Sequence, residues 1–251
     1  MPCRVLNTLL WLLVLLGAAC QDGSNSNSSA NSQRLSLNAA YGTPVVDGSG
    51  ADAVWENLDW QPIDQPWQRQ MTQAADFKGR YKVAWDENNL YFLVEVEDDS
   101  LTENALPNIE APRLADCLIL FIDEDASGGD RAGYNAFVYH IPLDGRIFNA
   151  VPDSIWQTLD DHCWMRHIRR DNTSTWEIAL RVYDGKQYRP NGENIPKLLK
   201  EGKKIGFALA YGDRDSEPQW ENIIGNIPLN SQKAETAWQN TDSYLVLNLL
   251  R

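Results

Sequence analysis

Carboxylates crowd one stretch of the chain, residues 83–101, which read VAWDENNLYFLVEVEDDSL. Within it, residues 90–97 alternate as a β-strand does, which places Glu95 and Glu97 on one face, about 7 Å apart. Glycosidases hold two carboxyl groups at comparable separations. Such an enzyme also needs one acid with a raised pKa in an apolar pocket, facing the other acid across a cleft, and nothing local supplies that pocket. We therefore interpret these acids as a solvated strand face and predict that the chain is not an enzyme.

A second acidic segment reads DEDASGGD over residues 123–130 and directly follows an apolar run. Ca²⁺ binds several oxygens, which carboxylates and carbonyls of a flexible loop can supply. Asp123, Asp125 and Asp130 are therefore the candidate ligands of a structural calcium ion, although their spacing is not that of an EF-hand. The alternative is a polar turn, because Asp, Ser and Gly all favour turns.

An aromatic residue in polar surroundings marks a candidate binding site. Trp238 and Gln239 lie in the segment TAWQNTD. An exposed indole can pack against the C–H face of a pyranose, whereas a lone Trp is otherwise a core residue, and the local sequence leaves both interpretations open. The sequence has no GxSxG motif for nucleophilic catalysis. Its net charge of −13 disfavours nucleic acid and anionic lipid as partners.

The N-terminus carries an export signal. A single arginine precedes the apolar segment LLWLLVLL at residues 9–16, which is too short to span a bilayer and is typical of a signal peptide. Removal of residues 1–19 would leave Cys20 as a lipidated N-terminus, and ordinary secretory cleavage is the alternative. Residues 20–35 are rich in Ser and Asn and predict a flexible tether before one domain at residues 36–251. We expect an exported outer-membrane lipoprotein, with a secreted or periplasmic protein as the alternative.

Two cysteines remain in the predicted domain, Cys117 and Cys163. In an oxidising compartment they could form a disulfide. Two buried free thiols are the alternative, and the sequence leaves both open.

Short strand-like segments dominate the domain. Residues 80–85 and 90–97 flank the turn-forming residues DENN and predict a hairpin. Residues 116–123 (DCLILFID) form a continuous apolar run, which is typical of a strand buried on both faces. Further strands are predicted at residues 134–142, 146–150, 164–170, 175–182, 204–211 and 244–249. Helical signals are limited to residues 52–57 and 195–200. Many short strands with little helix predict an all-β fold, an antiparallel β-sandwich of the immunoglobulin or jelly-roll kind.

Six blocks of the sequence occur in a recognisable order. They are YGTPVVDG followed by Trp55, residues 83–98, residues 116–124, WEIA at residues 176–179, IGF at residues 205–207 with Asp213, and AW before the final strand. Together, over residues 41–249, they resemble carbohydrate-binding module family nine. That resemblance implies a β-sandwich related to DOMON domains, a bound calcium ion, and a poly- or oligosaccharide ligand built from glucose or xylose.

The resemblance assigns a sugar site only in part. Trp238 matches one of the two Trp rings that clamp a sugar in that family, and Asp213 matches a polar Asp. The second ring falls at Arg113 or a neighbour, and Gln239 is a candidate amide beside the matched ring. The resemblance therefore implies Trp238, Asp213, Arg113 and Gln239 as ligand-binding residues.

Other positions of the family's sugar site carry apolar side chains in this chain. The family's Glu falls at Ile119, its Arg near Val138 and its Gln near Ala210. A different rim could instead make a new site from other tryptophans: Trp67, Trp156, Trp164 and Trp220.

The predicted function is that of an exported, non-catalytic protein that captures a glucan- or xylan-type glycan and assists its catabolism by separate glycoside hydrolases. One alternative is a haem b-binding, DOMON-like domain, because Met and His can ligate haem iron, and Met71, Met165, His140 and His167 are available. Another alternative is a structural envelope lipoprotein that has lost sugar binding, in keeping with the replaced site residues.

Overall fold

The structure, a computed structural model, describes residues 34–68, 77–102, 115–130, 136–150, 156–189, 192–215 and 220–251. The predicted signal peptide, the lipidation site Cys20, the candidate sugar ligand Arg113 and the candidate haem ligand Met71 all lie outside these residues. Among the described residues, no helix is long and apolar enough to cross a membrane.

Strands dominate the described residues, as the sequence predicts. They are β1 (Ser36–Tyr41), β2 (Gln61–Ile63), β3 (Gln65–Gln68), β4 (Phe77–Trp85), β5 (Leu90–Asp98), β6 (Cys117–Asp123), β7 (Phe137–Pro142), β8 (Phe148–Ala150), β9 (Trp156–Thr158), β10 (Cys163–Arg170), β11 (Thr173–Leu180), β12 (Lys204–Asp213), β13 (Asn222–Gly225) and β14 (Leu245–Leu250). Two short helices accompany them, α1 (Ala53–Glu56) and α2 (Ser231–Thr236).

The predicted hairpin is β4–β5, and its turn has a clear chemical basis. The carboxylate of Asp86 accepts hydrogen bonds from the backbone N–H groups of Asn88 and Asn89, both at 2.8 Å. Such an Asx interaction satisfies turn donors that have no partner in the ladder. The strands then pair in register from Trp85 and Leu90 outward. The hairpin prediction is therefore confirmed.

The sheet is curled into two antiparallel layers that β1 joins. Along one path the strand order is β10-β11-β5-β4-β1-β14-β12-β6-β7-β8-β9. β1 runs parallel to both of its neighbours, β14 and β4. The β-sandwich prediction is confirmed. The prediction that its strands all pair antiparallel is wrong at β1. The N-terminal strand enters between the layers and takes up the hydrogen-bonding edge that β14 would otherwise leave open.

Aromatic side chains fill the space between the two layers. Phe92 of β5 stacks on Phe207 of β12, with ring centroids 5.3 Å apart, and Tyr81 of β4 meets the same ring at 5.7 Å. Phe77 contacts Tyr211 in the same way at 5.3 Å. These contacts cross the interface between the layers, because β4 and β5 belong to one layer and β12 to the other.

The alternation predicted for β5 is confirmed on both of its faces. Alternate residues from Leu90 to Val96 are fully buried between the layers. On the opposite face, Glu95 and Glu97 form ion pairs with Arg80 and Lys78 across the hairpin. These two acids are therefore a solvated, charge-paired surface, as the sequence predicts.

One helix prediction is wrong. Residues 195–200 form no helix, and Ile195 and Leu198 are exposed. The backbone N–H of Lys197 donates to the carbonyl of Val182, and that of Leu199 donates to the carbonyl of Glu87. The segment therefore uses its donors along the sheet and not in an i→i−4 pattern.

Neither cysteine is oxidised. Cys117 in β6 and Cys163 in β10 are buried free thiols. Of the two alternatives that the sequence leaves open, the structure therefore has the pair of thiols.

Candidate functional site

Trp238 follows α2 on the outer side of the layer that contains β6. The helix is capped by Asn230, whose side chain accepts from the backbone N–H of Lys233 at 2.9 Å. The Tyr244 hydroxyl then donates to the carbonyl of Ala237 at 2.9 Å and fixes the chain beside the indole. The indole itself is half-buried. Part of Trp238 thus remains available to solvent on a firmly held backbone.

A second indole stacks against the same partner as the first. The imidazole of His140 lies 5.7 Å from the Trp238 ring and 6.0 Å from the Trp220 ring, centroid to centroid, with planes within 15° and 5° of parallel. Trp220 is anchored by its Nε1–H, which donates to the carbonyl of Ala115 at 2.7 Å. We call Trp220, His140 and Trp238 the aromatic stack. Trp220 is one of the tryptophans predicted as an alternative rim.

A glycine makes room for this arrangement. A Cβ atom on Gly212 would lie 2.5 Å from the Trp220 ring, which is closer than real Cβ contacts allow. The indole therefore rests directly on the backbone of β12, and the residue beneath it must lack a side chain.

The floor of the aromatic stack is apolar. Ile119 pairs in register with both His140 and Ala210, and all three are buried. Ile119 and Ala210 are positions at which the resemblance would place a Glu and a Gln. Polar groups for a sugar would therefore have to come from the surface around Trp238. Gln239 is exposed there, whereas Arg113 lies outside the described residues.

Three carboxylates converge at one end of the sandwich. Asp98 ends β5, Asp116 directly precedes β6, and Asp213 ends β12. One oxygen from each lies within 4.8 Å of the others, and all three residues are at least 96% buried. Asp99 and Asp215 form a second such group, which shares Asp98. We call Asp98, Asp116 and Asp213 the strand-end acids.

Backbone donors and one hydroxyl hold two of the strand-end acids. Asp116 accepts from the N–H of Thr102 at 2.6 Å and from the N–H of Arg214 at 2.8 Å. The Tyr211 hydroxyl donates to Asp98 at 3.0 Å. These bonds fix the orientation of the carboxylates of Asp98 and Asp116.

Asp213 differs from its two neighbours because half of its carboxylate has no hydrogen-bond partner. Its Oδ2 accepts from the Asn222 side chain at 3.1 Å, but its Oδ1 is buried and has no partner among the described residues. A buried carboxylate oxygen without a partner is costly unless a proton or a cation satisfies it.

Burial and mutual repulsion raise the pKa values of these acids. Burial, with the charge of Asp98 adding to it, raises the pKa of Asp116 to about 8. The same causes raise the pKa of Asp213 to about 7, and burial with the charges of Asp98 and Asp99 raises the pKa of Asp215 to about 6. The fold therefore collects negative charge where water solvates it poorly.

The calcium loop predicted from the sequence has protein partners of its own. Asp123 accepts from the N–H of Gly128 at 2.9 Å and from the Thr241 hydroxyl at 3.0 Å. Asp125 pairs with Lys186 at 2.8 Å.

Asp130, the third predicted ligand, accepts from the Asn240 side chain at 3.0 Å. In the described part of the chain, the carboxylate oxygens of Asp123, Asp125 and Asp130 do not all lie within 4.8 Å of one another. Calcium in this loop remains a prediction that the structure does not favour. Asp98 and Asp116 were missed, because nothing in the local sequence shows that the ends of three strands meet.

The other residues named from the sequence lie in separate surroundings. The Trp67 indole is buried, and Trp156 lies in β9. The His167 ring stacks on Trp176 at 4.7 Å. Met165 is part of the packing around the main core.

Trp164 is the exposed tryptophan of β10, 42% accessible, with the Arg181 guanidinium 5.6 Å from its ring. It borders a groove of about 260 Å³ that is also lined by Asn88, Asn89 and Leu198. This surface is a rival location for a sugar, because it combines a partly exposed ring with amide groups.

A curled β-sandwich with tryptophan rings over one of its layers is the architecture of a carbohydrate-binding module. The chain belongs to the family described as carbohydrate family 9 binding domain-like, which residues 46–250 match. The resemblance drawn from six sequence blocks is therefore confirmed. Modules of this family are non-catalytic binding domains.

Solved structures share the fold. A carbohydrate-binding module of family 9 from Caldicellulosiruptor kristjanssonii in complex with glucose matches 86% of this chain and 96% of its own, with a TM-score of 0.64 and 20% identity. Its complex with cellotriose matches 86% of this chain and 93% of its own, with a TM-score of 0.63 and 20% identity.

A curated relative matches over a shorter segment. Endo-1,4-beta-xylanase A from Thermoanaerobacterium saccharolyticum is 31% identical over 88 residues, which are 35% of this chain. Those residues make up 7% of the xylanase, so this chain corresponds to a small part of that enzyme.

Proposed function

We propose that this chain captures a neutral glucan- or xylan-type glycan at the surface formed by Trp238 and holds it for separate glycoside hydrolases. The observation that carries the proposal is the half-buried Trp238 indole on the firmly held segment after α2, in a chain whose family match spans residues 46–250. A sugar ring stacks on such an indole through its C–H groups and needs no charge from the protein.

The ligands of related proteins support this class of glycan. The two Caldicellulosiruptor structures hold glucose and cellotriose, and the matched curated relative is named a xylanase. The net charge of −13 does not oppose a neutral ligand, whereas it would repel an anionic one.

The replaced floor changes how specificity would arise. Ile119 and Ala210 offer no hydrogen bonds from their side chains, so hydroxyl groups of a sugar would be met by the exposed amide of Gln239 and by neighbouring loop groups. Fewer buried polar contacts predict weak binding with broad tolerance of the sugar, since strong discrimination comes from hydrogen bonds that a wrong ligand leaves unmade.

A glycan panel with matched variants tests the proposal. The purified chain is screened against cello-, xylo- and manno-oligosaccharides, with Trp238→Ala and Trp164→Ala in parallel. We expect binding by the wild type and by Trp164→Ala, and loss of binding in Trp238→Ala. Loss of binding in Trp164→Ala alone would place the site at the groove that Trp164 borders. No binding by the wild type would favour the structural envelope protein. No observation on the described residues favours haem.

Export and lipidation are part of the same proposal. A lipid on Cys20 would hold the domain at the envelope through the tether at residues 20–35, close to arriving glycans and their hydrolases. Metabolic labelling with a radioactive fatty acid should mark the wild type and not Cys20→Ser. Equal labelling of both, or of neither, would contradict lipidation at this residue.

A further inference from the structure

We infer that Arg34 positions the sugar surface: its guanidinium holds residues 237–244, which carry Trp238, in the conformation that presents the indole to a sugar. We call residues 237–244 the indole segment. The inference rests on the proposed function, because it concerns the same surface. It adds a residue that the family match does not include, since that match begins at residue 46 and Arg34 lies two residues before β1.

Three backbone carbonyls converge on the half-buried side chain of Arg34. Its Nε donates to the carbonyl of Tyr244 at 2.7 Å, and its two terminal nitrogens donate to the carbonyls of Ala126 at 3.0 Å and Thr241 at 3.3 Å. A guanidinium has five N–H donors in a fixed plane, so one side chain can bond acceptors from different parts of the chain. Two of these carbonyls belong to the indole segment, and the third belongs to the loop at residues 123–130. Arg34 therefore ties both to the residues that enter β1.

The Tyr244 side chain extends this hold to the indole. Its hydroxyl donates to the carbonyl of Ala237, the residue before Trp238, at 2.9 Å. Its ring contacts that of Phe121, with centroids 5.6 Å apart, and Phe121 contacts the Trp238 ring at 5.1 Å. Tyr244 is fully buried, so one buried residue connects the guanidinium of Arg34 to both the backbone and the ring of Trp238.

The loop at residues 123–130 also holds the indole segment. The backbone N–H of Thr241 donates to the carbonyl of Gly129 at 2.9 Å, and its hydroxyl donates to Asp123 at 3.0 Å. Because Arg34 bonds to this loop as well as to Thr241, the same guanidinium fixes the two parts relative to each other. Without it these acceptors would lose a donor, a costly change in partly buried surroundings, and the indole segment would move toward solvent to recover hydrogen bonds.

Pairing of the N-terminal strand does not need the Arg34 side chain. The backbone carbonyl of Leu35 accepts from the N–H of Val246 at 2.7 Å, and β1 pairs with β14 from Ser36 onward. A substitution at Arg34 should therefore leave the sandwich assembled and change the order of the indole segment. An ordered indole binds a sugar more tightly than a mobile one, because less conformational freedom is lost on binding.

Two measurements on the purified chain test this role. Calorimetry gives the affinity for the trisaccharide, cellotriose or xylotriose, that the wild type binds, and hydrogen exchange followed by mass spectrometry gives the protection of the indole segment with no sugar present. Arg34→Gln is the test variant, because it removes the charge and most of the donors. Arg34→Lys is the conservative variant, which keeps the charge and three donors. Arg170→Gln is the matched control, since Arg170 is exposed at the end of β10.

We expect Arg34→Gln to bind the trisaccharide about tenfold more weakly than the wild type, with faster exchange confined to the indole segment and the loop at residues 123–130. Arg34→Lys should recover part of the affinity, and Arg170→Gln should match the wild type. Equal affinity of the wild type and Arg34→Gln would overturn the inference and leave the proposed function standing. Faster exchange throughout the sandwich of Arg34→Gln would overturn it too, because Arg34 would then serve the stability of the whole fold. If the wild type binds neither trisaccharide, the proposed function fails, and this inference fails with it.

Discussion

The indole of Trp220 lies parallel to the imidazole of His140, with ring centroids 6.0 Å apart and planes 5° from parallel. Trp238 stacks against the same imidazole. Two tryptophans therefore share one buried partner, although one precedes β13 and the other follows α2. The sequence resemblance implies a sugar held by two tryptophans, one of them at or near Arg113. Among the described residues, the aromatic partner that Trp220 and Trp238 share is the imidazole of His140, a side chain of the protein.

Gly212→Ala should destabilise the fold, because the new Cβ would lie 2.5 Å from the Trp220 ring. We expect a loss of about 1–3 kcal/mol in the free energy of unfolding, typical of overpacking, although Ala is otherwise the better strand residue. Urea denaturation measures this value. In a Trp220→Leu background the same change should cost much less. Strict additivity of the two substitutions would show that the ring does not rest on Gly212.

His162 should contribute less to stability as the pH drops from 7 to 5, whereas the raised pKa values of Asp116, Asp213 and Asp215 change stability in the opposite direction. The ring is fully buried, with Tyr139 and Tyr188 hydroxyls at 2.9 and 3.1 Å from its nitrogens. Burial lowers the pKa of His162 to about 4, from 6.5. Between these values the unfolded chain binds the proton and the folded chain does not. The contribution of this residue is therefore complete above pH 6.5 and is lost as the pH falls toward 4.

The expected loss from His162 is about 2 kcal/mol between pH 7 and pH 5, given the difference between the two pKa values. Chemical denaturation at several pH values measures it. Because Gln does not titrate, the stability of the wild type relative to His162→Gln should fall by about 2 kcal/mol between pH 7 and pH 5, whatever the difference between them at pH 7. A variant profile parallel to that of the wild type would exclude His162 as the cause.

Asp213→Asn should stabilise the fold in EGTA, because it removes a buried charge from a group of acids that repel one another. We expect a gain of about 1–2 kcal/mol in the free energy of unfolding near pH 8, since burial and the neighbouring charges disfavour the ionised carboxylate. Chemical denaturation measures this value, with Asp130→Asn, a change at an exposed acid, as the matched control. Equal stability of Asp213→Asn and the wild type would contradict a destabilised carboxylate at residue 213.

Local patterns were sufficient to predict much of the fold. Three features depend only on residues that are adjacent in sequence, and each is confirmed: the DENN turn, the alternating burial of β5 and the apolar run of β6. The segment at residues 195–200 was misassigned because its backbone bonds go to residues distant in sequence, Val182 and Glu87. The parallel pairing of β1 with β14 is likewise a long-range contact that no local pattern encodes.

The candidate site was harder to predict, for the same physical reason. Asp98, Asp116 and Asp213 are far apart in sequence and meet only because the ends of β5, β6 and β12 coincide. Asp213 was singled out as a sugar ligand by resemblance, but its carboxylate is buried among other acids. Trp238 was identified from its polar surroundings, whereas its stacking on His140 required the fold.

The most direct test of sugar capture is a calorimetric titration of cellotriose or xylotriose into the purified chain, in the presence of Ca²⁺. We predict measurable heat of binding for the wild type and for Trp164→Ala. For Trp238→Ala we predict affinity weakened by about tenfold or more, a loss of about 1.4 kcal/mol or more. Equal affinities for the wild type and Trp238→Ala would contradict the central claim that Trp238 holds the sugar.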